Sequence, residues 1–307
     1  MNPLALIRAL RPHQWVKNGF VLAAVVFQLA EAQEPLSLTE GVRSSLFALL
    51  AFCLGASAIY LVNDVLDVEN DRKHPEKSKR PIAAGEVSVP VAWVSAVICA
   101  AGAVSLSLRA GEMTGAEGGS TTPVAICLAI YMGLNVAYSL RLKHVVLLDA
   151  FCIATGFILR VKAGGYAAGA GVSPWLLLCT FFLALFLALC KRRAECDLLG
   201  EAKAEHRKIL GDYEVGYLDQ MVTALAACTI LCYSLYTVIV AREEVELFWT
   251  VPFVVFGLGR YMWLVQQQQG GGSPTRVLLG GDPIFVLNTL GWMVTTGWLL
   301  FLRDVTS

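Results

Sequence analysis

Charge is scarce in this sequence. Asp, Glu, Lys and Arg make up 16% of its 307 residues, against about 25% in an ordinary soluble domain. A soluble chain of this length would need that charge for its surface. The 24 basic residues are matched by 24 acidic ones, for a net charge of zero at pH 7, so a broad basic face for nucleic acid is not expected. The nine cysteines lack metal-site spacing, and a secreted disulfide scaffold does not fit this length. They read as small, reduced hydrophobes. No internal repeat of the kind seen in many transporters is evident, which argues against a transporter. What is abundant is apolar. Hydrophobic residues are 56% of the chain and mean hydropathy is +0.62, which excludes disorder and leaves a polytopic membrane protein.

Apolar runs near the ~20 residues needed to cross a bilayer fall at 18–33, 44–64, 90–109, 122–140, 145–164, 174–191, 219–241, 247–265 and 283–302. All are expected to be helices, because an open sheet cannot satisfy its backbone in lipid. The fold class is therefore all-α, an integral membrane bundle of about nine spans. The whole chain, 1–307, reads as one transmembrane domain with cytosolic loops at about 65–89 and 192–218. The first run follows Arg8, Arg11 and Lys17 as a signal peptide would, but no small-residue cleavage site follows, so it is expected to be retained. The loops alternate in charge. Arg43, Arg109, Arg242 and Arg303 fall on one side, Arg160, Lys162 and Arg260 inside spans, and the other 17 Lys and Arg on the opposite side. The positive-inside rule then predicts a multi-pass protein of the cell's inner (cytoplasmic) membrane, N-terminus in the cytoplasm and C-terminus outside. The tract from Gln266 through Gly272 reads as a flexible linker.

The most informative segment runs from Tyr60 to Asp71, where the second span reaches the cytoplasm. On a helix, Asn63, Asp64, Asp67 and Asp71 fall at roughly 0°, 100°, 40° and 80°, so four oxygen-bearing side chains share one face while Glu69 points elsewhere. Hard divalent cations take oxygen ligands, and Mg²⁺ typically combines one or two carboxylates with substrate phosphates. A solvated acidic helix end is the alternative, but three aligned aspartates repel one another without a cation. Arg72, Lys73, Lys77, Lys79 and Arg80 follow at once. They suit phosphate oxygens and equally suit an ordinary positive-inside loop. His74 has no nearby ligand partner and reads as a loop residue.

Asn63-Asp64-x-x-Asp67-x-x-x-Asp71 resembles the first aspartate-rich motif of the UbiA-type intramembrane prenyltransferase superfamily. Further segments resemble its decaprenyl-phosphate phosphoribosyltransferase branch. They are Arg11-Pro12-His13-Gln14-Trp15-Val16-Lys17-Asn18, the continuation through His74-Pro75 and Arg80-Pro81 to Gly85, Tyr138-Ser139 with Leu142-Lys143-His144, Gly156-Phe157 with Arg160, and Lys191-Arg192-Arg193-Ala194-Glu195. The resemblance implies a UbiA-like helical bundle with a cytosolic mouth. It also implies transfer of 5-phosphoribosyl from phosphoribosyl diphosphate to a polyprenyl (decaprenyl-like) phosphate, with Mg²⁺ held by Asn63, Asp64, Asp67 and Asp71. The three aspartates are then the catalytic residues. Lys17, Asn63, Lys77, Arg80, Lys143, Arg160, Lys191, Arg192 and Glu195 are the substrate-binding candidates. Prenyl-diphosphate users of the superfamily carry a second aspartate-rich motif where this chain has Lys191 to Asp197. Lys191, Arg192 and Glu195 share a ~100° helical face there, which suits a more anionic ligand, or simply a basic anchor. The alternative activity is isoprenoid transfer to an aromatic or other acceptor. Homo-oligomerisation is left open.

Other residues keep two readings. Lys17 is a phosphate contact or an interfacial lysine, and Lys143 is placed likewise. Asp149, at the start of a span, completes the metal site or pairs with a loop lysine. Arg160 lies roughly 16 Å further along the same helix and lines a polar cavity or pairs with a carboxylate elsewhere. Lys162 would reach the outer interface. The polar stretch from Glu201 to Asp219 reads as a cytosolic helix over the mouth, with Tyr213 and Tyr217 capping substrate or packing on the membrane surface.

Overall fold

The computed structural model describes residues 3–31, 38–73, 77–112, 122–169, 171–199, 208–240, 246–267, 277 and 281–301. Every element among them is helical, as lipid demands of backbone polar groups. In chain order they are α1 (Pro3–Leu10), α2 (Phe20–Glu31), α3 (Leu38–Leu66), α4 (Val68–Lys73), α5 (Val89–Glu112), α6 (Thr122–Leu140), α7 (Leu148–Ala168), α8 (Pro174–Leu199), α9 (Lys208–Gly211), α10 (Val215–Leu235), α11 (Val251–Gln266) and α12 (Pro283–Phe301).

Seven of these are long and apolar enough to span a membrane: α3, α5, α6, α8, α10 with its extension to Val240, α11 with its preceding turn, and α12. They match seven of the nine expected spans. The other two look different. The run expected at 18–33 is the 12-residue α2, because Pro12–Gly19 winds as a 3-10 helix ahead of it. The run expected at 145–164 is α7, 21 residues long and carrying Asp149, Arg160 and Lys162 within it. It starts late because Leu147 sits in the left-handed region at φ 64°. The seventh run starts earlier than expected, at Val215, and the sixth runs on through Lys191 and Glu195 to Leu199.

The chain forms two compact units, and α7 contributes to both: its residues through Ile158 belong to the second and those from Leu159 to the first. The first unit holds α1, α2 to Val26, α3 to α6 and the end of α7. Its core joins Phe52, Ala48, Ala51 and Ala56 of α3 to Ala103 of α5, Leu128 and Tyr131 of α6, and Ala163 and Ala167 of α7. Small residues let helices approach closely where lipid supplies no hydrophobic drive between them. Gly164 is the extreme case: a Cβ there would stand 1.8 Å from the Val21 carbonyl oxygen. A smaller patch in the same unit gathers Ala5 and Ala9 of α1, Leu61 and Val65 of α3, Ile82, and Ala92 and Ala96 of α5.

The second unit packs Ala150 and Ala154 of α7 with Phe186 and Leu189 of α8, Leu218, Val222 and Leu225 of α10, and Leu258 and Tyr261 of α11. Arg260 forks onto Asp282, with Nη2 to Oδ2 at 2.8 Å and Nε to Oδ1 at 3.2 Å. Asp282 also accepts the Phe285 amide at 2.7 Å, capping the first turn of α12. Large apolar side chains remain on the outer faces, among them Val97 and Ile98 of α5 and Leu287 and Val294 of α12, as lipid contact requires. None of the nine cysteines, all within the described residues, forms a disulfide.

Candidate active site

The acidic motif straddles a break between α3 and α4 at Asp67. Helical spacing survives it. The Asp67 amide donates to the Asn63 carbonyl at 2.9 Å, and the Asp71 amide donates to the Asp67 carbonyl at 2.8 Å. Asp64 and Asp71 are buried, at 2% and 3% exposure, whereas Asn63 and Asp67 are half-buried. Glu69 stands outside the group, paired with Arg72 on the surface at 2.9 Å.

Two arginines meet the buried pair. Arg80 Nη1 lies 3.1 Å from Asp64 Oδ1 and 2.6 Å from Asp71 Oδ2. Arg11 Nη2 lies 2.6 Å from the same Asp64 Oδ1, its guanidinium 4.9 Å from the Tyr60 ring centre. Packing explains the meeting. α1 seats on the end of α3 and on Ile82, Arg8 pairs with Glu86, and Trp15 Nε1 donates to Ser57 Oγ at 3.0 Å. Gly85, at φ 78°, turns the chain after Arg80 back towards α5.

Asn63, Asp64, Asp67 and Asp71 do not form a ready-made cage: among the described residues no three His, Cys, Asp or Glu side chains are grouped to hold a metal. The reason is visible in the ion pairs, since Arg80 sits between Asp64 and Asp71. The donor set nevertheless fits Mg²⁺ carried with a phosphate ligand. Asp64 Oδ2 is buried and without a hydrogen-bond partner among the described residues, an expensive state for a carboxylate oxygen. Asp67 makes no ion pair among the described residues. Mg²⁺ bound with substrate phosphates needs only one or two carboxylates.

The remaining basic candidates of the first unit differ in exposure. Lys77 is exposed in the 3-10 turn Lys77–Lys79, and Lys17 is half-buried in the turn before α2. Arg160 is 7% exposed. Its Nε donates to Asn18 Oδ1 at 2.8 Å, its Nη2 donates to Tyr131 Oη at 2.9 Å, and its guanidinium lies 4.5 Å from the Tyr131 ring centre. Asn18 is itself buried and donates to Cys53 Sγ at 3.3 Å. Arg160 thus belongs to a polar cluster inside the first unit, on partners that its position in the sequence did not suggest.

In the second unit, Arg192 is engaged by two carboxylates. It is 2% exposed. Its Nε lies 2.7 Å from Asp149 Oδ2 and its Nη1 2.5 Å from Glu195 Oε2. Asp149 is fully buried and is thus paired with a helix arginine. Its Oδ1 accepts from Tyr213 Oη at 3.0 Å and from the Ala150 amide at 2.8 Å. Tyr213 in turn accepts the amide of the left-handed Leu147 at 2.8 Å. Burial pushes the Tyr213 phenol well above its ordinary range, with the Asp149 carboxylate adding to it, so it stays protonated and donates. Tyr213 is therefore a core residue and not a cap. Lys191 remains half-exposed beside Glu195, 3.8 Å away, while Arg193 turns to Asp197 and Asp219. Lys143 is half-buried in the turn Leu142–His144. His74, residues 201–207 and 268–272 of the linker lie outside the described residues.

Arg11 does not stand out in the sequence as a site residue, though it opens the segment from Arg11 to Asn18. The signal available was its position before Pro12, which disfavours an ordinary helical conformation and marks a fixed turn.

The UbiA prenyltransferase family model matches residues 20–301. The decaprenyl-phosphate phosphoribosyltransferase of Corynebacterium glutamicum is 35% identical over 94% of this chain and 84% of its own length. Its namesake from Mycolicibacterium smegmatis is 34% identical over 96% of this chain and 92% of its own. Among solved structures, a UbiA homolog from Archaeoglobus fulgidus bound to GPP and Mg2+ superposes with a TM-score of 0.69 at 19% identity, covering 96% of this chain and 99% of that one. At that identity the likeness concerns the fold.

Proposed function

The chain belongs to the UbiA prenyltransferase family, and from that premise we propose that it transfers 5-phosphoribosyl from phosphoribosyl diphosphate to a decaprenyl-like polyprenyl phosphate. The observation that carries this reading is the 34–35% identity over nearly the whole chain to enzymes of that name. The replacement of a second aspartate-rich motif by Lys191-Arg192-Arg193-Ala194-Glu195 supports it over prenyl transfer to another acceptor.

The chemistry asks little of the protein in the way of acid or base. The lipid phosphate is already anionic, so its oxygen attacks the anomeric carbon as the bond to diphosphate breaks, inverting that carbon. The product is polyprenylphosphoryl-5-phosphoribose. Rate then comes from positioning and from offsetting charge on the leaving group. Asn63, Asp64, Asp67 and Asp71 would hold Mg²⁺, which would supply positive charge to the leaving diphosphate, and a solved structure of the same fold binds that ion. Lys77 and Arg80 direct cationic groups at the phosphates, with Lys17 as a further contact. Lys191 and Lys143 are phosphate candidates of the second unit. Arg192 and Glu195 hold the helix surface around Lys191. The protein works from the inner face of the cytoplasmic membrane, a reading supported by the positive-inside distribution of its loops.

Purified protein given labelled phosphoribosyl diphosphate, decaprenyl phosphate and Mg²⁺ should yield a labelled lipid, and yield none with a chelator. Turnover of a prenyl diphosphate with no labelled lipid would overturn the proposal in favour of isoprenoid transfer.

A further inference from the structure

The acidic site already carries its own cations. Asp64 and Asp71 are two carboxylates held at 2% and 3% exposure, and buried carboxylates persist as ions only with compensating charge. Arg11 and Arg80 supply it: two guanidiniums against two buried carboxylates. The arginines do not use the carboxylates evenly. Both converge on Asp64 Oδ1, while Asp64 Oδ2, in the same buried side chain, has no partner among the described residues. One acceptor is therefore left open beside a pair whose charge is already balanced.

Arg11 reaches this place at a backbone cost. Its φ of 53° and ψ of 55° are left-handed, a conformation unfavourable for an L residue with a Cβ. Such strain persists where the surroundings over-determine it. Here they comprise Pro12 on one side and, for the side chain, Asp64 and the face of Tyr60.

We propose that Arg11 and Arg80 are exchangeable counter-ions that stand in for the metal at Asp64 and Asp71, and that they pass to the diphosphate when the metal–diphosphate complex arrives. The inference rests on the assignment of Mg²⁺ to this cluster. A divalent ion alone meets two fixed guanidiniums and a balanced pair, so it binds poorly. With the diphosphate present, each guanidinium gains phosphate oxygens, for which its planar fork is suited, and the carboxylates are released to the ion. Metal and diphosphate thus bind as a coupled pair, and Arg80, which bridges both aspartates, carries most of the coupling.

The test is Mn²⁺ binding to the purified protein without any phosphate, read from the electron paramagnetic resonance signal of unbound Mn²⁺. Arg80→Gln should bind Mn²⁺ alone about tenfold more tightly than the parent protein, because a positive charge close to the ion is gone. Arg80→Lys, which keeps the charge, should stay near the parent value, and Arg11→Gln should fall between. With phosphoribosyl diphosphate added, Arg80→Gln should lose affinity for that substrate while the parent gains affinity for Mn²⁺. Unchanged or weaker Mn²⁺ binding by both Arg80→Gln and Arg11→Gln would overturn the counter-ion inference and leave the metal assignment standing. Parent-like Mn²⁺ binding by Asp64→Asn with phosphoribosyl diphosphate present would overturn the metal assignment and the inference with it. Melting curves of each variant confirm that binding is compared between folded proteins.

Discussion

Replacing Arg192 with alanine removes the guanidinium from Asp149 Oδ2 and from Glu195 Oε2 and leaves a buried carboxylate facing the gap. Breaking a buried pair from one side costs about 3–5 kcal/mol. Arg192→Ala should therefore lower the melting temperature in detergent, with any loss of activity following the loss of folded protein. Its neighbour separates stability from substrate binding. Lys191 is half-exposed and sits at a loose 3.8 Å from Glu195, a surface pair worth little. Lys191→Ala should melt like the parent and raise the concentration of phosphoribosyl diphosphate needed for half-maximal rate. A similar separation applies in the acidic motif. Asp67 is half-buried and makes no ion pair among the described residues, so Asp67→Asn should melt normally while its turnover falls about 100-fold or more. Near-parental turnover would remove Asp67 from the metal-binding set. These contrasts depend on contacts that no spacing rule displays: Lys191 and Arg192 are adjacent, yet one lies at the surface and the other in the core.

Between elements, close approach and charge each make a joint that can be tested. α2 and the end of α7 touch backbone to backbone at Val21 and Gly164, and a methyl at Gly164 would overlap the Val21 carbonyl. Gly164→Ala should destabilise the protein by at least the ~1–3 kcal/mol typical of overpacking. Gly133→Ala on α6, where nothing stands within 4 Å, should not. α11 and the start of α12 are joined by Arg260 and Asp282. The hydrogen bond from Arg260 holds the Asp282 carboxyl below its usual range, with the Phe285 amide contributing. A depressed folded value means that the ionised pair stabilises the fold fully above the ordinary carboxylate value of about 4. That stabilisation fades as pH falls through the lower folded value. Melting temperature followed from pH 7 to pH 3 should drop at the acid end in the parent, and less steeply in Asp282→Asn.

For the whole molecule the decisive quantity is how charge divides across the bilayer. A phosphatase reporter, active only outside the cytoplasm, should be silent when inserted in the Lys77–Lys79 turn and active when fused after Phe301. The opposite pattern would invert the molecule and move the acidic site to the outer surface, where a cytosolic sugar diphosphate could not reach it. The seven apolar helices were visible as hydropathy alone. α2 and α7 were harder to delimit, the first because a 3-10 turn shortens it, the second because a left-handed Leu147 delays its start and three charged residues interrupt its apolar character.

Apolar run length establishes a helical membrane protein, and helical spacing puts Asn63, Asp64, Asp67 and Asp71 on one face. Both follow from local quantities: the length of an apolar run and the angle between residues on a helix. Its motifs also carried the family. Who neutralises whom is a matter of packing. Arg11 meets Asp64 across 53 positions, Arg192 meets Asp149 across 43, and Arg160 meets Asn18 across 142. Such pairs depend on which helices pack and at what height, information spread over the small residues of whole interfaces. That is why the partnership of Arg192 with a buried aspartate is not legible in the sequence. It is also why Arg11, unremarked as a site residue, proved to be a counter-ion of the acidic cluster.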